Sequence, residues 1–169
     1  MAPSLLGMLL VVQRAGVRAV GRIIETEAYT ADDPASHSFR GRTSRNGEMF
    51  GEAGHLYVYR SYGIHWCANV VTGAEGDGEA VLLRAVEPVE GADEMLRRRG
   101  RRPLADGPGK LCQAFGLDGA DDGADLCNGG AIHIVDDGAS AVHDIVAGPR
   151  IGITKAVDTP WRFRIAPSS

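Results

Sequence analysis

Val20-Gly21-Arg22-Ile23-Ile24-Glu25-Thr26-Glu27-Ala28-Tyr29 is the stretch on which the fold turns. Its β-branched and aromatic residues favour an extended chain. A period of two then places Glu25, Glu27 and Tyr29 on one face and Ile24, Thr26 and Ala28 on the other. Upstream, Leu5 to Gln13 reads as a helix end or a strand, with Leu9-Leu10-Val11-Val12 favouring the strand. Arg14-Ala15-Gly16-Val17-Arg18 supplies a glycine-containing turn, so the two runs are expected to pair as a hairpin. Two carboxylates on one strand face repel if both are buried and ionised, so Glu25 and Glu27 need either solvent or a purpose. An exposed edge strand is the plain reading, and Tyr29 with the residues that follow weighs against it.

Downstream, Thr30 to Glu52 is long, polar and without periodicity, which marks a functional or a disordered connection. His37 and Met49-Phe50 give it anchors, and Arg40, Arg42 and Arg45 give it charge. Leu56 to Tyr59 reads as a strand with Leu56 and Val58 on one face and Tyr57 and Tyr59 on the other. Ile64 to Val71 reads as another, so Arg60-Ser61-Tyr62-Gly63 must reverse the chain and set Tyr62 at a hairpin tip. There the ring either folds back on a neighbour or stands out as a wedge for a flat ligand. The strand Ala80 to Val86 is interrupted by Arg84, a cation that is costly to bury without Glu27 or another strand-borne carboxylate as partner.

Glu90 to Arg99 is expected to be helical and to stop at Gly100. The charge run from Arg97 to Arg102 reads as a solvated, mobile loop or as a supplement to phosphate binding. Pro108-Gly109-Lys110 opens a short helix through Phe115, and backbone amides at such a start can hold a phosphate. Asp118 to Asp125 lacks the ligand spacing of an EF-hand and is read as a solvated loop. Ala131 to Val135, Ile145 to Ile153 and Trp161 to Ile165 complete the strands. Many short strands with few helices indicate an α+β chain.

With 169 residues the chain is expected to form a single domain, residues 1–169. No run approaches the apolar length of a membrane span and no signal peptide is evident, so the expected compartment is the cytoplasm. Cys67, Cys112 and Cys127 make neither a disulfide framework nor a zinc knuckle and read as small buried hydrophobes. A net charge of −4 opposes a nucleic-acid partner unless the cations are gathered on one face. All but two of the 18 basic residues are arginine, the side chain suited to bidentate phosphate contact.

A carboxylate beside an aromatic ring, with more tyrosines on another strand and arginines around them, fits a pocket for a flat, electron-poor ring on a sugar phosphate. Such a carboxylate can deprotonate water and balance an oxocarbenium-like sugar. A free-nucleoside or glycoside hydrolase using Glu25 and Glu27 as a pair is an alternative. Two carboxylates on one strand face, however, cannot straddle a bond from opposite sides.

Glu25-Thr26-Glu27-Ala28-Tyr29, Ala35-Ser36-His37-Ser38, Arg45-Asn46, Tyr57-Val58-Tyr59 through Tyr62-Gly63, Asn69, Val81-Leu82-Leu83-Arg84-Ala85, Gly107-Pro108-Gly109-Lys110 and Pro160-Trp161-Arg162-Phe163 occur in an order that resembles the alkyladenine (3-methyladenine) DNA glycosylase family. The resemblance implies one compact domain around a curved antiparallel β-sheet with a few peripheral helices. It also implies a monofunctional enzyme of base excision repair that flips a damaged purine from double-stranded DNA and hydrolyses its bond to deoxyribose. By the same resemblance Glu27 is the general base and Arg84 positions the water or the carboxylate. Tyr29, His37 and Tyr59 wall the base pocket, and Asn69 excludes a guanine amino group. Tyr62 fills the gap left in the duplex. Arg42, Arg45 and Lys110 are candidates for the DNA backbone, with positive potential expected around Arg40, Arg42, Arg45 and Lys110. No metal or other cofactor is implied, a Schiff base through Lys110 is not expected, and a monomer is the default. A catalytically silent nucleic-acid-binding module of the same fold is the alternative, and the presence of both Glu27 and Arg84 favours the enzyme.

Overall fold

The computed structural model describes residues 1–138 and 144–167. Strands β1 (Leu9–Arg14) and β2 (Val17–Tyr29) form the expected hairpin. Ala15 and Gly16 at its turn both adopt left-handed φ, 49° and 78°, the geometry that matches the twist of the flanking strands. Then follow β3 (Leu56–Ser61), β4 (His65–Thr72), β5 (Glu79–Glu90), helices α1 (Ala92–Arg99) and α2 (Pro108–Phe115), and strands β6 (Ile132–Val135), β7 (Ile145–Gly148) and β8 (Arg162–Ile165).

All pairings among these strands are antiparallel, in the order β3-β4-β5-β2-β1-β6. The β7–β8 ribbon joins the sheet at β2. The 13-residue β2 is therefore the spine: β5 runs along one edge, while β1 takes the first half of the other edge and β8 takes Glu25 to Glu27. Register shifts between Val20 and Gly21 and around Glu25 bend this strand, since each bulge raises the local twist. The result is a curled antiparallel half-barrel with two helices, a compact α+β domain. Gly21 lets it close: a Cβ there would lie 2.8 Å from both Phe115 Cζ and Val86 Cγ2, so the bare backbone admits α2.

Alternation along the strands divides the sheet into two faces. Thr26 and Ala28, Leu56 and Val58, Ala68 and Val70, Val81 and Leu83 point to the face covered by α1, α2 and the N-terminal turn, where all but Thr26 join the main core. Tyr57, Val71 and Ala80 point the other way and pack with Met49 and Phe50, while Tyr29 and Tyr59 lean on that smaller cluster. The second cluster clamps the Thr30–Glu52 connection onto the sheet, so this connection is an ordered cover.

Some expectations are corrected. Strand β5 runs on past Val86 through Pro88 to Glu90, and β4 begins at His65 because Ile64 belongs to the turn. Ile145 to Ile153 is not one strand, since β7 stops at Gly148 and the chain then dives toward β2. Asp118 to Asp125 is not merely solvated. Asp118 and Asp121 form a reciprocal cap, buried Asp121 pairs with Arg14, and Asp122 accepts the Val58 amide at 2.7 Å. In the run from Arg97, Arg97 and Arg98 pair with Glu94 and Arg99 donates to Gln113, so these three side chains are engaged within the fold.

Candidate active site

Register brings the chemistry together. Tyr57 lies opposite Asn69, Asn69 opposite Leu82, and Leu82 opposite Glu27, so four neighbouring strands carry one straight row of residues on the sheet face away from the main core. Tyr29, Tyr59, Cys67 and Arg84 occupy the flanking rows of the same face. Asn69 is fixed by donation from Nδ2 to the Tyr57 carbonyl at 3.0 Å. Above this face a cavity of about 1240 Å³ extends from Tyr29 and Asn69 to the β3–β4 tip.

Its aromatic end is built from edge and face contacts. The His37 ring stands edge-on to Tyr59 with centroids 4.3 Å apart, and Tyr59 stacks on Tyr57 at 5.6 Å. His37 Nδ1 and the Tyr57 hydroxyl share a hydrogen bond at 3.0 Å. Burial lowers the His37 pKa, which favours the neutral imidazole. Tyr29 faces the same cavity.

Behind Tyr29 lies Glu27, with no exposed surface. Its Oε2 accepts the Tyr29 hydroxyl at 2.9 Å and its Oε1 accepts the Ile151 amide at 2.8 Å. Arg84 Nη1 approaches Oε1 at 3.4 Å. Burial, then the charge of Glu27, pushes the Tyr29 phenol well above its usual range, so the phenol keeps its proton and remains a donor. Arg84 is held chiefly elsewhere, through Nε to Glu25 Oε1 at 2.9 Å, and Arg162 Nη1 reaches that same oxygen at 3.4 Å. Glu25 is thus engaged by two guanidinium groups.

The segment after β7 completes this wall and was missed by sequence reasoning. Arg150 is buried, pairs with buried Asp33, and donates to the Ala28 carbonyl at 2.9 Å. Its guanidinium lies 4.7 Å from the Tyr29 ring centre and 5.3 Å from that of Trp161, an arrangement that gains from the ring quadrupoles. Only the glycine and proline around it, Gly148-Pro149-Arg150-Ile151-Gly152, mark the segment in sequence, and they say nothing about what it touches.

At the other end Tyr62 stands at the tip, 88% exposed. Its φ of 50° is left-handed, an unfavourable setting that costs a bulky residue on the order of 1 kcal/mol. The turn closes through Ile64 N to Ser61 O at 3.0 Å. Arg40, Arg45, Arg60, Arg84 and Lys155 line the cavity, and among the described residues no carboxylate does. Among the described residues Arg40, Arg42, Arg45, Arg60 and Lys155 make no salt bridge, whereas Arg14, Arg18, Arg22, Arg150 and Arg162 each have a carboxylate partner. Four cations without a salt bridge, Arg40, Arg45, Arg60 and Lys155, therefore give the cavity of an acidic chain a cationic mouth, although Arg99, Arg101, Arg102 and Arg164, which make no salt bridge among the described residues either, lie outside its wall. Arg42 and Lys110 lie outside the cavity wall, and Lys110 pairs with Asp106 along α2 at 2.8 Å. Arg60, with its guanidinium 5.7 Å from the Trp66 ring centre, and Lys155 were not anticipated.

The methylpurine-DNA glycosylase (MPG) family model matches residues 1–169. The chain belongs to the methylpurine-DNA glycosylase family. Relatives named "Putative 3-methyladenine DNA glycosylase" include one from Rhodopseudomonas palustris (strain HaA2), 51% identical over 96% of this chain and 79% of its own length. A second, from Agrobacterium fabrum, is 52% identical over 99% of this chain and 83% of its own. A third, from Burkholderia lata, is 48% identical over 97% and 81%. In this methylpurine-DNA glycosylase family member the cavity brings together Tyr29, His37, Tyr59, Tyr62, Asn69, Arg84 and Arg45 from the sequence-predicted set, with Glu27 directly behind.

Proposed function

We propose that this chain flips an alkylated or deaminated purine, of the 3-methyladenine, hypoxanthine or ethenoadenine type, out of double-stranded DNA and hydrolyses its N-glycosidic bond. The observation that carries this reading is a buried carboxylate, Glu27, held directly behind an aromatic, cation-mouthed cavity by Tyr29, Ile151 and Arg84, which line it. The flipped base slides between Tyr29 and the His37–Tyr59 pair, whose faces hold a positively charged ring more firmly than a neutral one. Asn69, on the floor of the cavity, meets the purine edge and disfavours a guanine amino group. Tyr62, already displayed at the tip, enters the duplex where the base has left and offsets part of the unstacking cost.

A water beside Arg84 attacks the deoxyribose carbon as the bond to the base breaks. The base leaves with the bonding electron pair, which neutralises a 3-methyladenine cation, whereas a neutral hypoxanthine or ethenoadenine leaves as its anion and takes a proton from solvent; Glu27 accepts the proton of the attacking water. The negative carboxylate also balances the cationic sugar in the transition state. Incubation with a duplex carrying one such lesion is expected to release free base and leave an abasic site, with no strand break until alkali is added. Intact lesion after prolonged incubation with each of the three substrates would overturn this reading.

The cationic mouth sets the affinity for the duplex through phosphate contacts. Arg45→Ala is expected to weaken duplex binding at low salt whatever the base sequence. It should reduce the slope of log K against log salt by about 0.9, the effect of one lost phosphate contact. A salt titration of binding reads both quantities.

A further inference from the structure

Glu25 is a charged group of the site for which the reaction above has no use. It points to the same face as Glu27 and accepts Arg84 Nε at 2.9 Å, while Arg84 Nη1 stays 3.4 Å from Glu27 Oε1, within ion-pair range but outside a formed hydrogen bond. Arg162, from the neighbouring strand β8, reaches Glu25 Oε1 at 3.4 Å and braces it from the other side. We propose that Glu25 is a positioning residue that anchors Arg84 and keeps its guanidinium from closing onto Glu27.

A cation free to choose goes to the more buried carboxylate, where its attraction is least screened. Glu27 has no exposed surface and Glu25 retains some. Without Glu25, Arg84 swings to Glu27, closes the 3.4 Å gap to a hydrogen bond, and spends the oxygen that must receive the proton of the water. The proposal rests on Glu27 being that acceptor. The groups in contact with Glu27 are Tyr29 from β2, Arg84 from β5 and the Ile151 amide from the segment after β7. Arg162 acts on it through Glu25. Of these, Arg84 is the cation whose alternative partner is removed.

The test uses the full chain with Glu25→Gln, Glu25→Asp and Glu27→Gln. It measures single-turnover release of 3-methyladenine from methylated duplex, and affinity for a duplex with a stable abasic-site analogue. Glu25→Gln is expected to lower the plateau rate about 10- to 100-fold, as misplacement of a positioned group does, with affinity for the analogue unchanged. Glu25→Asp, which keeps a carboxylate to hold Arg84, should recover most of the plateau rate. A Glu25→Gln variant with the wild-type plateau, or one whose affinity for the analogue falls along with its rate, overturns the proposal, as does a Glu25→Asp variant as slow as Glu25→Gln. If Glu27→Gln also releases base at the wild-type rate, the reading of Glu27 itself has failed. If it is inactive while Glu25→Gln is normal, only the role of Glu25 has failed.

Discussion

Glu27→Gln is expected to lower base release by about 10² to 10⁴-fold, the range contributed by a positioned general base, while leaving duplex binding intact. The substitution is close to isosteric. Its amide oxygen can still accept from the Ile151 amide or the Tyr29 hydroxyl, which now meet Glu27 at 2.8 and 2.9 Å. Arg84 loses only its looser contact at 3.4 Å and keeps Glu25 at 2.9 Å, so no charge is left stranded. The thermal midpoint should therefore move little, and the loss should appear in the single-turnover rate alone. A variant that still excises at the wild-type rate would remove Glu27 from the chemistry.

Arg150→Met is expected to destabilise the protein by about 3–5 kcal/mol, because it leaves the Asp33 carboxylate buried and uncompensated. Asp33 and Arg150 are both buried, and the pair is tied by two contacts, one of them Nη2 to Oδ1 at 3.0 Å. For a chain of this size the loss corresponds to a fall in thermal midpoint of roughly 10 °C. Removing both charges in Arg150→Met with Asp33→Leu should recover much of the stability, since a buried pair replaced by apolar residues is often neutral. A double-mutant cycle followed by thermal unfolding isolates the coupling, and a single-variant shift of only a degree or two would show that no buried charge had been exposed to that cost. Activity should not return with stability in the double variant. The guanidinium also lies against the Tyr29 ring and donates to the Ala28 carbonyl next to it, so its loss frees one wall of the base slot.

Much of this arrangement follows from local rules. The period of two along β2 settles that Glu27 and Tyr29 share a face, and the same rule separates Tyr57 and Tyr59 from Leu56 and Val58; at Glu25 register shifts break the period, so that Ile23 and Ala28 both reach the main core. The turn residues around Gly16 and Gly63 mark hairpins, and the second of these is why Tyr62 stands exposed. Arg84 in an apolar strand announces a carboxylate partner because an unpaired buried cation is too costly. What the order of residues cannot express is register. The row from Tyr57 through Asn69 and Leu82 to Glu27 exists because four strands align, and a one-residue slip would turn any of these side chains to the opposite face.

Partner choice is likewise non-local. Glu25 and Glu27 look equivalent in sequence, yet bends in β2 and the pairing with β8 give Glu25 the two arginines and give Glu27 the Ile151 amide. Asp33 and Arg150 lie 117 positions apart and carry no shared pattern. The placing of Arg40, Arg45, Arg60 and Lys155 around one cavity in a chain with net charge −4 is decided in the same way, by how the chain folds. Sequence alone determined where most of the strands lie, the faces of their regular stretches and the kinds of chemistry they carry, because those depend on neighbours one or two residues away. Tertiary structure alone decided which carboxylate is sealed, which cation holds it and where charge is left free, because burial and pairing are set by residues distant along the chain.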